Sequence, residues 1–308
     1  MFESFLLVGQ QVLQLFILVA VGFILGRIGK LNAKSAQGIS NLVMYVVAPS
    51  MLVIAFQRPV EAESLHNFLI GIPVAIALHL VNILAAQLLV RDPDEHRRST
   101  LRFATVLSNC GYMAFPLQTA LLGTIGVFYG SPFVLIFNIV GWTYGVRLIG
   151  GREQKLSPKT ILLNPGVIGV ALAVSLYLLQ ISLPEILYTP VSWLSALNTP
   201  LPMIVVGYQL SHADLRGALR GVSSWVCMVL RLLVLPTAAL ALCLLLKLDH
   251  TLSIAMVAGA AAPPAALLSM LTAKFERDPS LAASVVSLQT VISALTMPVI
   301  VGLAMTLA

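Results

Sequence analysis

The chain has 308 residues, of which 58% are hydrophobic and 10% charged, and its formal net charge is +6. Soluble domains carry roughly 45–50% apolar and 25% charged residues, so this composition excludes an ordinary soluble protein and predicts a polytopic membrane protein. The positive charge does not indicate nucleic acid as a partner, because the basic residues lie in short loops between apolar runs.

Apolar runs of about 20 residues, the length that crosses a bilayer, recur ten times along the chain. We therefore predict an all-α membrane protein with ten transmembrane helices, whose outer faces contact the lipid bilayer. The predicted spans 1 to 10 cover residues 5–26, 35–56, 67–90, 100–122, 131–150, 161–180, 191–210, 222–246, 252–273 and 280–307. The first span lacks the basic flank of a cleaved signal peptide and is expected to remain as a helix.

Lysine and arginine are unevenly distributed, and positive loops stay on the cytoplasmic side of a membrane. The loops after the odd-numbered spans hold 15 of the 18 basic residues. The other side holds Arg58 and Lys247, while Arg231 lies within a span. We expect a multi-pass protein of the plasma membrane, the inner membrane of a bacterium, with both termini outside.

The second and third spans contain polar side chains at intramembrane positions. Asn41 and Tyr45 are four residues apart and share one face of span 2. That face is expected to line a substrate path or to hydrogen-bond a neighbouring helix. Span 3 contains His79, which could relay protons or pack as a neutral side chain.

Span 4 is interrupted by the sequence Ser-Asn-Cys-Gly-Tyr-Met-Ala-Phe-Pro at residues 108–116. Pro116 lacks an N–H and clashes with the preceding turn, while Gly111 lets the chain leave helical dihedrals, so we expect about one unwound turn. At ~1.5 Å of rise per residue the stretch lies roughly 14 to 24 Å from residue 100, spanning the middle of a ~30 Å hydrocarbon layer. Bare backbone at this depth must line a cavity.

A matching interruption occurs about 150 residues later, where Pro263 and Pro264 stand within span 9. The polar loop 150–159 divides the chain into two halves of five spans, residues 1–150 and 151–308, and the odd number turns the second half upside down. Interrupted spans at matching positions of inverted repeats predict a transporter site built from discontinuous, crossing helices 4 and 9. Proline kinks that serve packing alone are the alternative.

Further polar residues are expected near these breaks. Asn138 in span 5 is predicted to point at the crossing, and Gln289 and Thr290 in span 10 are predicted to surround the second break. Arg231 in span 8 lies roughly 17 Å deep, where a guanidinium costs at least ~2.5 kcal/mol unless it meets water, an anion or carbonyls. It could bind the carbonyls at the end of a broken helix, attract an anionic substrate, or snorkel.

The twelve acidic residues map to loops or span ends, so no buried carboxylate is predicted to carry a proton or cation. The N-terminus of a half-helix instead favours an anion. Asn109 can donate two hydrogen bonds to a carboxylate, although capping of the break is an alternative role. We predict no cofactor and no metal site, and the spans lack the Asp, Ser/His or zinc clusters of membrane enzymes.

The order of these motifs resembles the auxin efflux carrier (AEC) family, which includes plant PIN-type carriers and bacterial transporters of malonate or malate. The resembling segments are Asn41 to Pro49, residues 108–116 and 137–145, Asn164 with Pro165, Pro202 with Gly207, Arg231 with Pro236, Pro263, and Thr290 to Pro298. The resemblance implies two inverted five-helix repeats, with spans 1, 2, 6 and 7 as a scaffold and spans 3 to 5 and 8 to 10 as a moving transport domain. It also implies elevator-like motion, often in a homodimer formed through the scaffold.

We therefore predict a secondary transporter of small organic anions, carboxylates such as malonate, malate or auxin-like acids, and not an enzyme. A sodium-coupled organic-anion symporter of the bile-acid type is the alternative, disfavoured because the second break offers no carboxylate. The candidate substrate-binding residues are Asn109, Cys110, Gly111, Pro116, Asn138, Pro263, Pro264, Gln289, Thr290, Asn41 and Tyr45, with Arg231 as electrostatic or crossing support.

Overall fold

Helices form nearly all of the structure, a computed structural model that describes residues 2–151, 153–154, 159, 162–215 and 217–308. Within these ranges the strand-like geometry is confined to an isolated bridge between Ser108 and Pro264. We number the longer helices α1 Phe2–Arg27, α2 Ala33–Ala55, α3 Ala62–Leu89, α4 Glu95–Val106, α5 110–122, α6 Thr124–Gly150, α7 Pro165–Leu178, α8 Glu185–Ala196, α9 Pro200–His212, α10 Val222–Leu245, α11 His250–Ala261, α12 Leu267–Lys274 and α13 Pro279–Leu307.

Six of these helices, α1, α2, α3, α6, α10 and α13, are long and apolar enough to cross a membrane. This confirms the prediction of an all-helical, multi-pass membrane protein at the level of helix type and length. The other predicted spans correspond to shorter pieces: span 4 to α4 and α5, span 6 to α7, span 7 to α8 and α9, and span 9 to α11 and α12. The count of ten spans and the inverted repeat stay predictions.

Part of the predicted boundary between the two halves lies outside the described residues. Residues 152 and 155–158 of the polar loop 150–159 belong to this undescribed part. The undescribed residues also include three basic residues from the charge count that predicts the orientation: Arg152, Lys155 and Arg216.

The closest helix pair is formed by α1 and α9, which meet through glycines. A Cβ atom at Gly22 would overlap the backbone of Ile204, and one at Gly207 would overlap the backbone of Val19. Gly26, one turn further along α1, faces Ser211, also one turn further along α9. The two helices therefore run in the same direction, and their glycines permit backbone contact that larger residues would prevent.

The other main contacts form two packing groups, which touch each other where α1 meets α13 and where α6 meets α2 and α7. The helix α2 packs against α7 and α8, while α3, α10, α11 and α13 pack against one another or around α6. The buried apolar side chains form two clusters, which divide within the breaks: Leu107 and Ala265 belong to one cluster, and Cys110 and Ala262 to the other. The breaks therefore lie between the two halves of the core.

Hydrogen bonds connect the loops at one end of the helix bundle. Arg97 donates to Asp92, to the carbonyl of Arg220 and to Ser224. Arg277 donates to the Ile149 carbonyl. These loops follow predicted spans 3, 5, 7 and 9, as the distribution of basic residues requires. The side of the membrane on which this end lies stays a prediction.

At the same end Asp94 caps the N-terminus of α4. Its carboxylate accepts hydrogen bonds from the backbone N–H groups of Arg97 and His96. These hydrogen bonds, that of Arg97 first, hold the pKa of the Asp94 carboxyl below its usual value. The loop after α3 is thus ordered by its own side chains.

Candidate functional site

The two interrupted segments cross each other at their breaks. The chain leaves helical geometry at Leu107 to Asn109 and again at Ala262 to Ala266, and Ser108 pairs with Pro264 in antiparallel fashion. The N–H of Asn109 donates to the Pro263 carbonyl at 2.7 Å, and the N–H of Ala265 donates to the Leu107 carbonyl at 2.9 Å. The backbone groups of each break are therefore hydrogen-bonded by the other break. Lipid could not provide such partners.

The sequence of the second break explains why it pairs in this way. Pro263 and Pro264 have no N–H and cannot continue α11, and the residue before a proline is driven into extended geometry. Ala262 accordingly has φ −61° and ψ 145°. The pairing uses the Pro263 carbonyl and the N–H of Ala265, which are groups that the prolines leave intact.

The position of the first break differs from the predicted one. We predict from the sequence that Gly111 and Pro116 unwind the helix, but the non-helical residues are 107–109, just before them. Gly111 lies in a π-helical turn, Cys110–Ala114, and Pro116 lies in the first turn of the α-helical segment Phe115–Leu122. The half-helix α5 thus begins at Cys110, and Pro116 lies in its second turn, directly after the π-helical turn. A local π adjustment lets a membrane helix accommodate a proline, so Pro116 does not end α5.

Arg231 binds the two helix ends that face each other across the crossing. Its guanidinium donates to the carbonyls of Thr105 at 3.1 Å, Val106 at 3.4 Å and Ala260. These are carbonyls in the last turns of α4 and α11, which carry the negative ends of the helix dipoles. Arg231 is 0% exposed, and it is the one charged side chain classed as buried within the described ranges. These contacts match one of the three roles that the sequence left open for Arg231, namely binding of the carbonyls at the end of a broken helix.

The opposite helix ends present hydrogen-bond donors. The N–H groups in the first turns of α5 and α12 have no acceptor within their own helices. Asn109 precedes α5, is 5% exposed, and its Nδ2 has no hydrogen-bond partner among the described residues. The hydroxyl of the buried Ser108 is likewise unpaired within those residues. The crossing thus combines two positive helix ends with buried, neutral polar groups.

Gly111 differs from the closely packed glycines of α1 and α9. A Cβ atom built on Gly111 would meet nothing within 4 Å, although Cys110 beside it is buried. Gly111 also has no positive φ that would require glycine. Neither packing nor dihedral geometry accounts for a glycine at this position, whereas close approach of a ligand to the backbone would.

The Asn138 side chain is hydrogen-bonded within its own helix. Its Nδ2 donates to the Val134 carbonyl at 2.8 Å, and its amide packs against Gly166 at the start of α7. Gly141, one turn later in α6, leaves room for Leu267, the first residue of α12. The contacts of Asn138 therefore join α6 to α7.

Gln289 and Thr290 are buried in α13, as expected for polar residues away from lipid. The Gln289 Nε2 donates to the Cys227 sulfur at 3.4 Å, and Thr290 donates to the Val286 carbonyl of its own helix at 2.7 Å. Cys227 in turn donates to the Leu101 carbonyl of α4 at 3.3 Å. The contacts of Gln289 thus connect α13 to α10 and α4, and not directly to the second break.

Asn41 and Tyr45 lie on the surface of α2. Asn41 is exposed and accepts a hydrogen bond from Gln37, and Tyr45 is 62% exposed. The contacts described for these side chains do not join them to the crossing.

Two further buried amides, Gln118 and Asn198, have no role assigned to them from the sequence. Gln118 in α5 donates from Nε2 to the Ala255 carbonyl of α11 at 2.7 Å, which joins a half-helix of each interrupted segment. Asn198, between α8 and α9, is fully buried, and neither polar atom of its side chain has a partner in the described part of the chain. An amide in an apolar run was the available signal for both.

Comparison with known proteins supports a transport function. A family described as "Membrane transport protein" matches the chain in two segments, residues 7–161 and 155–301. An uncharacterized transporter of Methanocaldococcus jannaschii is 26% identical over 92% of this chain and 94% of its own length. An uncharacterized transporter of Methanothermobacter thermautotrophicus is 24% identical over 94% of this chain and 96% of its own.

Proposed function

Because the chain belongs to the membrane transport protein family, the family of auxin efflux carrier-like transporters and not of enzymes, we propose that it carries small organic anions as a secondary transporter. The substrates are carboxylates such as malonate, malate or auxin-like acids. The crossing of the two breaks is the binding site, and Asn109 is its central donor. The protein acts in the plasma membrane, with both termini outside.

Charge at the crossing supports an anionic substrate. Two half-helix N-termini supply positive dipole ends, and Arg231 adds a full positive charge on the other side of the breaks. The acidic residues all lie in loops or at helix starts, so no carboxylate opposes this potential within the core. A carboxylate substrate would meet Asn109 as a donor without a neighbouring negative charge.

The single observation that carries the proposal is the open position in front of Gly111. The unpaired Nδ2 of Asn109 and the N–H groups of the first turn of α5 lie within three residues of this glycine. A carboxylate that approaches the backbone at Gly111 would accept hydrogen bonds from both. Hydrogen bonds to a charged acceptor are worth about 1.5–3 kcal/mol each, enough for micromolar to millimolar binding from two or three of them.

An elevator-type alternating-access mechanism is part of the same proposal. The scaffold contains predicted spans 1, 2, 6 and 7, and the transport domain contains spans 3 to 5 and 8 to 10 of two inverted repeats, residues 1–150 and 151–308. The tight pair of α1 and α9 and the packing of α2 on α7 and α8 support this grouping of the scaffold helices, and the scaffold would meet the transport domain where α1 contacts α13. Arg231 and the paired breaks would move together, because they are hydrogen-bonded to one another.

Uptake into proteoliposomes tests the function. Purified protein should transport at least one of radiolabelled malonate, malate or indole-3-acetate under an imposed membrane potential or proton gradient. Asn109→Ala should lower uptake about tenfold, the cost of one hydrogen bond to a charged group, and Asn109→Asp should abolish uptake through charge repulsion. Gln37→Ala is the control and should leave uptake unchanged, because Gln37 is an exposed amide on α2 and is not among the candidate binding residues.

Two results would contradict the proposal in different ways. Equal uptake by Asn109→Ala and the unmodified protein would remove Asn109 from the site. Absence of uptake for every carboxylate would reject the substrate class. Replacing sodium by choline should leave uptake unchanged, because the crossing offers no carboxylate to a sodium ion.

A further inference from the structure

A hollow of about 440 Å³ lies at the C-terminal end of α3 and is lined by arginines. We call this space the arginine hollow. It is lined by Arg91, Asp92, Pro93, Arg98 and Arg102. Its lining includes none of the residues of the crossing, and its interpretation does not depend on the proposed transport function.

Backbone carbonyls hold the three arginines side by side. Arg91 donates to the Leu88 carbonyl at 3.0 Å, and Arg98 donates to the Asp92 carbonyl at 2.7 Å. Arg102 donates to the carbonyls of Val90 at 3.1 Å and Gln87 at 2.9 Å. Each guanidinium has five N–H donors, so these bonds leave most donors of all three arginines available.

The charge of the arginine hollow is not neutralised by its own residues. Asp92 is the carboxylate in the lining, and its Oδ2 accepts from Arg97 at 3.1 Å and from Ser223. Its Oδ1 accepts from the N–H of Asp94 at 3.0 Å. No ion pair joins Arg91, Arg98 or Arg102 to a carboxylate within the described ranges. Three positive charges therefore surround the space with one carboxylate that is already engaged.

An apolar track leads along α3 to the arginine hollow. Leu80, Leu84 and Leu88 follow one another at four-residue intervals, so they share one face of the helix. Their side chains are 54%, 60% and 61% exposed. The track ends three residues before Arg91, at the point where the hollow begins.

We propose that the arginine hollow binds the phosphate of an anionic phospholipid, whose acyl chain lies along Leu80, Leu84 and Leu88. Guanidinium forks match the paired oxygens of a phosphate, and basic pockets between membrane helices suit lipid headgroups of this charge. Free phosphate shares this chemistry, but it would make no use of the leucine track. The occupant is therefore a lipid such as phosphatidylglycerol, and a zwitterionic lipid binds more weakly.

Native mass spectrometry of the full-length protein in detergent tests this inference. The protein is titrated with phosphatidylglycerol and, separately, with phosphatidylcholine, and bound lipids are counted. Phosphatidylglycerol should bind more tightly, and Arg91→Gln combined with Arg98→Gln should weaken it about 30-fold at the strongest site. The control, Arg27→Gln with Lys30→Gln, removes the same charge from exposed positions at the end of α1 and should keep wild-type binding.

Further arms separate the possible outcomes. Arg91→Gln alone perturbs an exposed side chain and should weaken phosphatidylglycerol about fivefold, which keeps the test valid if the double variant does not fold. Displacement of phosphatidylglycerol by millimolar inorganic phosphate would overturn the lipid assignment in favour of free phosphate. Equal binding of both lipids, or equal loss in the control variant, would overturn the site itself.

Discussion

At the scale of single residues, Arg231 illustrates how a buried charge can serve structure. Its guanidinium reaches carbonyls at the ends of two different helices, so one side chain satisfies acceptors that both breaks expose. The sequence located this residue at membrane depth but left three roles open. Distinguishing them required knowing that residues 105 and 260 approach residue 231, which no local pattern reveals.

Replacing Arg231 should destabilise the crossing. In Arg231→Leu three buried carbonyls lose their donor, and each such loss costs about 1–3 kcal/mol, so we expect a total of about 3–9 kcal/mol. Arg231→Lys should fall between this variant and the unmodified protein, because an ammonium cannot span carbonyls as a planar fork does. Thermal unfolding in detergent measures the difference.

Arg27→Leu provides the comparison for Arg231. Arg27 is exposed in the last turn of α1, so its loss should change stability by less than about 0.5 kcal/mol. Equal melting temperatures for Arg231→Leu and Arg27→Leu would mean that the carbonyls of α4 and α11 do not depend on the guanidinium.

Gly111 offers a test that separates folding from binding. Gly111→Ala adds a methyl group in open space and removes glycine from a helical turn, so stability should rise by about 0.5–1 kcal/mol. If a carboxylate approaches the backbone there, uptake should nevertheless fall about tenfold, the loss of roughly one hydrogen bond.

Gly38→Ala is the matched control for Gly111, because Gly38 is helical, exposed and likewise free of neighbours within 4 Å. Gly38→Ala should raise stability similarly and leave uptake unchanged. A Gly111→Ala protein that transports at the normal rate would show that the open position is not occupied by substrate.

At the scale of helices, the two breaks were predicted with different accuracy. Pro263 and Pro264 lie within the second break, because two consecutive residues without N–H groups end α11. The first break lies upstream of Gly111 and Pro116, because the π-helical turn Cys110–Ala114 lets α5 continue through the proline. The antiparallel pairing of Ser108 with Pro264 joins residues that are distant in sequence, and no local pattern specifies it.

The sequence also does not determine the direction in which a polar helix face points. Spacing shows that Asn41 and Tyr45 share a face of α2, but not the direction in which the face points. The same limit applies to Gln289, which is buried as expected and yet bonded to Cys227. By contrast, burial of polar side chains inside apolar segments was predictable, because lipid gives them no partner.

Removing the prolines of the second break should release the crossing. In Pro263→Ala with Pro264→Ala, a continuous helix would direct the Pro263 carbonyl to the N–H of residue 267 and the Ala265 N–H to the carbonyl of residue 261. Both groups would then be lost to Asn109 and Leu107. Hydrogen exchange at Asn109 should accelerate, and uptake should fall.

Pro298→Ala controls for the loss of a proline as such, since Pro298 lies inside the continuous helix α13. It should leave exchange at Asn109 unchanged. Unaltered exchange in the double proline variant would mean that the pairing of the breaks, and not the prolines, determines the geometry.

At the scale of the whole molecule, the two ends of the bundle carry different charge. The loops joined by Arg97 and Arg277 are rich in basic residues, whereas the other end joins the loops after α2 and α7 through Gln57, whose Oε1 accepts from the N–H of Leu183 at 2.7 Å. The parallel run of α1 and α9 puts the end of α1 at the basic end as well. Positive loops remain in the cytoplasm, so this asymmetry predicts an orientation.

Cysteine labelling tests that orientation on intact cells. Lys30→Cys follows α1 at the basic end, and Glu185→Cys begins α8 toward the other end; both positions are exposed. A membrane-impermeant thiol reagent should label Glu185→Cys in intact cells and Lys30→Cys only after permeabilisation. The native thiols give little background because Cys110, Cys227 and Cys243 are buried. The reverse pattern would put both termini in the cytoplasm, while labelling of both positions from one side would contradict the arrangement of the loops at two opposite ends.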